Sequence, residues 1–142
     1  MRDKLINNGY YTPVIMAIIV VLLLIGNAIK AQTKQELLDY MEMLGVKHKK
    51  IVLKQIMLET GNLTSDIYKE NNNLFGMKEA RQRQTTALGT NRGHAYYINW
   101  KSSIIDYLLW QRKYFKGGDY YEFLESYGYA QSEDYINKLK EL

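Results

Sequence analysis

Glu59 stands where a carboxyl group could do acid chemistry. It lies in the string Q-I-M-L-E-T-G (Gln55 to Gly61), in the last turn of a stretch that is otherwise largely apolar. A carboxylate at a helix C-terminus meets the negative end of the helix dipole, and apolar neighbours strip it of water; both effects favour the protonated form. A carboxylic acid that keeps its proton near neutral pH is what protonation of a glycosidic oxygen requires. Taken alone, Glu59 reads more readily as a solvated glutamate near a helix end. A second candidate follows in Asn71-Asn72-Asn73-Leu74-Phe75-Gly76-Met77-Lys78, a polar amide cluster running into an apolar turn. Asparagine both donates and accepts, which suits sugar hydroxyls and N-acetyl groups, although alone an Asn-rich turn before Phe-Gly is more often structural.

Other chemistries are excluded or weakened by composition. The 142 residues include no cysteine, so disulfides, thiolate metal sites and cysteine nucleophiles are absent. With only His48 and His94, a histidine-rich metal centre is not expected, and no cofactor is implied. Basic residues are interspersed with acids at a net charge of +4, which does not indicate nucleic-acid binding. Thirteen tyrosines offer flat faces and hydroxyls suited to sugar rings, or simply half-buried core positions.

The elements that must position these residues are mainly helical. Leu37, Leu38, Met41 and Leu44 form one helix face over Lys34 to Leu44, stopped by Gly45. A second helix is expected from His48 to Thr60; its apolar content is too broad for a surface helix, which makes it the central one, ended by Gly61. Glu79 to Asn99 reads as a short irregular β-hairpin, with a turn at Asn91-Arg92-Gly93 and a strand over Ala95 to Ile98. A third helix is expected to start at Ser102 or Ser103, with Ser103 and Asp106 as a capping box, and to break at Gly117-Gly118. Asp119 should cap a short helix bearing Phe123 and Leu124. Ser132 should start the last helix, with Glu133 and Asp134 in its first turn.

Ahead of all this, Val14 to Ile25 (VIMAIIVVLLLI) is an unbroken apolar run behind Arg2 and Lys4. That pattern is a secretory signal, with cleavage after Ala31 and Ala28 as the second choice; an uncleaved anchor is the alternative, though Asn27 and Lys30 leave the run short of a span. The expected organisation is therefore residues 1–31 as signal peptide or anchor and 32–142 as one exported domain, periplasmic or wall-associated. Any contact with a membrane would be through the N-terminal segment alone, and the protein is expected to be monomeric.

Taken in order, L-E-T-G, N-N-L-F-G-M-K, Y-Y-I-N-W-K-S-S and Y-A-Q-S-E-D-Y resemble the peptidoglycan endo-β-N-acetylglucosaminidase family, over roughly Lys34 to Leu142. The resemblance implies a lysozyme-like fold, mainly α with a small β-hairpin lobe, the two lobes flanking a substrate groove. It implies peptidoglycan glycan strands as substrate, Glu59 as general acid and Tyr129 near the cleft. Asn72, Asn73, Phe75 and Gly76 would lie on the turn behind the site, with Tyr97 and Trp100 also expected to meet substrate. For Trp100 core packing is an equal alternative, and Tyr135 is assigned a structural part.

The sequence departs from the family pattern in two places. Ser132 and Glu133 replace the usual Asp and Pro. Ala80 to Ile98 contains no Asp or Glu, where many relatives are assigned a second acid; Glu79 is the nearest. A two-carboxylate scheme is therefore unsupported, and a route through the substrate's own 2-acetamido group is expected, with Glu59 as acid and Tyr129 steadying charge. Rival readings are a muramidase or lytic transglycosylase, and a non-catalytic peptidoglycan-binding protein.

Overall fold

Local signals start and stop the helices. Thr33 and Glu36 form a reciprocal capping box at the head of α1 (Lys34–Leu44), and Gly45 closes it in a left-handed conformation at φ 74°. The computed structural model describes residues 32–128 and 134–142. The N-terminal apolar run, Tyr129, Ser132 and Glu133 lie outside the described residues. No helix among the described residues is long and apolar enough to cross a membrane.

The second helix, α2, spans Lys49–Glu59, so Glu59 is its last residue. Val52, Gln55, Ile56 and Met57 are buried on it, and it packs against α1 and the last helix, in keeping with a central position. An unforeseen helix, α3 (Asp66–Asn71), follows; Ser65 caps it by accepting from the Tyr68 backbone N–H. It delivers the asparagine cluster at its C-terminal end.

The expected hairpin forms from β1 (Gly89–Asn91) and β2 (His94–Tyr96), paired antiparallel with Asn91 opposite His94. Arg92 and Gly93 between them both have positive φ, 52° and 76°, the signature of a tight two-residue turn whose twist suits a hairpin. The second strand begins at His94 and ends at Tyr96, short of the expected Ile98. The chain leaves the pairing there because the Tyr97 N–H turns to the Asn71 carbonyl.

The start of the third expected helix is corrected. α4 spans Trp100–Tyr114 and is capped by Asn99, whose side chain accepts from the Ser102 N–H at 3.0 Å. Ser103 and Asp106 are not a capping box. Both are fully buried inside the helix, where they make tertiary hydrogen bonds. Asp119 does cap α5 (Tyr120–Ser126), accepting from the Tyr121 and Glu122 N–H groups, and Phe123 and Leu124 are buried on it. The last helix, α6, spans Tyr135–Glu141. Leu37, Met41, Ile56, Leu74, Ile104, Leu124 and Leu139 are fully buried at the centre of the helical core. The described residues are thus mainly helical, with one small two-stranded sheet among them.

Candidate active site

Placing a carboxyl group at the end of a largely apolar helix requires it to face somewhere other than the core. Glu59 faces a groove of about 1170 Å³, half-buried, with Phe75, Gly76 and Met77 beside it and His94 on the β-hairpin side. Burial pushes its carboxyl above the ordinary value of 4.5. A hydrogen bond from Tyr135 and the charge of His94 oppose that rise without cancelling it. The expectation of a raised pKa by desolvation is met.

The two carboxyl oxygens have different surroundings. The Tyr135 hydroxyl donates to Oε1 at 2.9 Å. Oε2 lies against Gly76, where an added Cβ would come within 3.1 Å of it, and Gly76 is held at φ 62°. Glycine is required here twice over, for its backbone conformation and for its missing side chain.

Behind Tyr135 runs a buried chain of polar side chains. Gln111 Nε2 donates to the Tyr120 hydroxyl at 2.7 Å, and Tyr120 and Tyr107 share a 2.6 Å bond. Tyr107 donates to Gln55 Oε1 at 2.6 Å, and Gln55 Nε2 reaches Tyr135 over a longer 3.5 Å. Because Tyr107 spends its proton on Gln55, Tyr120 must donate to Tyr107. Every link then donates towards Glu59, and bonds aligned in one direction polarise one another.

The asparagine cluster is spent on architecture. Asn73 is almost wholly buried; its Nδ2 donates to the Met77 and Ala95 carbonyls at 2.9 and 2.8 Å, and its Oδ1 accepts from the Phe75 and Met77 N–H groups. Asn71 is bonded to the hairpin through the Asn91 carbonyl and side chain. Asn72 adopts a left-handed conformation and donates to the Tyr97 carbonyl at 2.9 Å. These amides therefore join the Leu74-Phe75-Gly76 turn to the β-hairpin, and the buried Ser103 hydroxyl fixes the same turn to α4 by accepting from the Leu74 N–H.

Of the other expected contact residues, Phe75 lines the groove while stacking on Tyr107 at 4.1 Å. Tyr97 is buried, with its hydroxyl donating to Asp106 at 2.9 Å, so its ring is inside the protein. Trp100 packs edge-on against Tyr40 and is not among the groove-lining residues. Tyr129 lies outside the described residues; Gly128, just before it, borders the groove.

An aromatic wall that sequence reasoning missed is made by Trp110 and Tyr114 on one face of α4, with Tyr127 against both. Their i, i+4 spacing was the available signal. Tyr127 is half exposed and is the ring most open to a sugar. The segment 78–83 runs without regular structure and also lines the groove, with Lys78, Glu79 and Arg81 exposed along it. Arg83 anchors that segment through a buried two-pronged ion pair with Asp106, at 2.6 and 3.1 Å.

Among the comparisons with known proteins, one gives a match. The Glucosaminidase family, described as mannosyl-glycoprotein endo-beta-N-acetylglucosaminidase, matches residues 34–142. Neither the comparison with curated proteins nor that with solved structures gives a match.

Proposed function

The chain belongs to the Glucosaminidase family of glycoside hydrolases, with that family's lysozyme-like, mainly helical fold, and from that premise we propose that it cleaves the β-1,4 glycan strands of bacterial peptidoglycan as an endo-β-N-acetylglucosaminidase. The observation that carries this reading is Glu59. It is a carboxyl group kept towards its protonated form by burial, at the floor of an open groove, with one oxygen held by Tyr135. An open groove suits an internal cut in a long polymer. Lys78 and Arg81 at the rim suit an anionic one, and the N-terminal apolar run suits an exported enzyme acting in the periplasm or the wall.

In this mechanism a glycan strand lies along the groove, with a sugar against the Tyr127 face. Glu59 gives its proton to the glycosidic oxygen as the bond to C1 breaks. The 2-acetamido carbonyl oxygen of the same sugar closes on C1, so no second protein carboxylate is required. Water then opens the ring and returns a proton to Glu59. The family resemblance assigns Tyr129 to steadying the developing charge; Tyr129→Phe should then slow turnover about 10–100-fold, a loss of roughly 1.4–2.7 kcal/mol.

Mass spectrometry of peptidoglycan digested by the purified protein tests the assignment. Fragments ending in reducing N-acetylglucosamine are expected. Reducing N-acetylmuramic acid would make it a muramidase, anhydro ends a lytic transglycosylase, and an undigested but bound polymer a binding protein.

A further inference from the structure

The β-hairpin presents a histidine to the groove that holds Glu59. His94 opens β2 and lines that groove, half-buried. Its ring is oriented through Nδ1, which lies 3.0 Å from the Arg92 carbonyl oxygen. A carbonyl only accepts, so Nδ1 carries the proton in this contact, and in a neutral imidazole Nε2 is then a bare acceptor. The hairpin that carries it is braced on both strands, by Asn71, which donates to the Asn91 carbonyl of β1 at 2.9 Å, and by Asn73, which donates to the Ala95 carbonyl of β2 at 2.8 Å. The ring therefore sits on a fixed backbone, as a group that must meet substrate with small tolerance should. His94 is also near enough that a proton taken up on its ring would act on the Glu59 carboxyl.

The rest of this wall offers little competition. Residues 80–98 hold no Asp or Glu. Glu79, at the edge, is exposed, and its Oε2 accepts from the Thr90 hydroxyl at 2.7 Å.

We propose that His94 is a second catalytic residue, whose Nε2 accepts the N–H of the 2-acetamido group on the sugar being cleaved. This rests on the acetamido route above and supplies its missing partner. As the acetamido oxygen bonds to C1, the C1–oxygen bond to the departing sugar breaks and Glu59 protonates that oxygen. The amide nitrogen becomes more acidic as its lone pair feeds the new ring, and its proton moves to His94 Nε2. Water then attacks C1, giving a proton to Glu59. The bond between C1 and the acetamido oxygen breaks, and His94 returns its proton to the nitrogen. The sum is hydrolysis with retained configuration, and both side chains end as they began.

The test uses the full protein, an N-acetylglucosamine thiazoline that mimics the cyclised intermediate, and the variants His94→Ala and His94→Gln. His94→Ala should lower kcat about 10–100-fold with KM changed less than about threefold, and weaken thiazoline binding by a similar factor. His94→Gln, whose amide oxygen still accepts, should recover part of both losses. In the wild-type protein, the 15N resonance of His94 Nε2 should move to its protonated position when thiazoline binds. This last readout does not depend on any variant folding. A β-configured initial product, with an unmoved Nε2 resonance or an unchanged kcat in His94→Ala, would overturn the part given to His94 and leave the acetamido route standing. An α-configured initial product from the wild-type protein would overturn both together.

Discussion

The Tyr135 hydroxyl donates to Glu59 Oε1 across 2.9 Å, joining the first turn of the last helix to the final residue of the central one. The bond sets the two oxygens of one carboxyl apart. Oε1 is engaged with a side chain that is itself at the end of a directed hydrogen-bond chain. Oε2 faces the glycine of the Leu74-Phe75-Gly76 turn, where a proton can be held and delivered.

A bond donated to a carboxylate favours its charged form, so removing the donor must raise the pKa further. Tyr135→Phe is therefore expected to carry the Glu59 pKa upwards, moving the basic limb of the pH–rate profile to higher pH. The plateau rate should fall by less than about tenfold, because the acid remains in place. The profile of kcat against pH checks this, and a limb that moved to lower pH would contradict it.

Gly76→Ala should harm both stability and turnover. The left-handed conformation costs a residue with a Cβ about 1–2 kcal/mol, and the new methyl would press on Oε2 at 3.1 Å. The expected outcome is a lowered melting temperature together with a kcat loss of more than about tenfold. Unaltered turnover would mean that Oε2 is not the oxygen that carries the proton.

The Arg83–Asp106 pair is predicted to hold one wall of the groove. Asp106 is fully buried and accepts from both Arg83 and Tyr97, so Asp106→Ala leaves a buried guanidinium without its partner. Loss of one member of such a pair costs about 3–5 kcal/mol. Chemical denaturation should show a loss in that range. A loss below about 1 kcal/mol would show that segment 78–83 is held by other contacts.

Much of the helical framework was legible because its signals are local. Apolar spacing marked α1 and α2, Asp119 marked α5, and Asn91-Arg92-Gly93 marked the hairpin turn. What misled was tertiary use of residues with strong local meanings. Ser103 and Asp106 fit a capping pattern, yet each is committed to a partner outside the helix, Leu74 in one case and Arg83 with Tyr97 in the other. α3 is only six residues long and left too little periodicity to detect.

The candidate site was legible in the sequence at Glu59 and obscure around it. Glu59 stood out through the ordered strings L-E-T-G and N-N-L-F-G-M-K, because its local setting alone also fits a solvated glutamate near a helix end. Asn73 and Tyr97 looked like sugar ligands by residue type, but their polar atoms are occupied within the protein. Tyr135 was assigned to structure, and only the packing of α6 against α2 brings its hydroxyl to Glu59. His94 and Tyr127 carry no local signal, since each reaches the groove through long-range assembly.

Glu59→Gln tests the central claim most directly. The substitution keeps the size of the side chain and its acceptor for Tyr135 but removes the transferable proton, so activity on purified peptidoglycan should fall by at least about 10²-fold. Because the folded-state pKa lies above the ordinary 4.5, the stability tied to the neutral carboxyl is full below that pH. It is lost as pH rises through the folded-state pKa. Glutamine stays neutral throughout, so the variant should melt higher than wild type at neutral pH, and this advantage should vanish in acid. The Glu59→Gln protein should be stable, correctly folded and inactive; one that cleared purified walls at near the wild-type rate would contradict a catalytic part for Glu59.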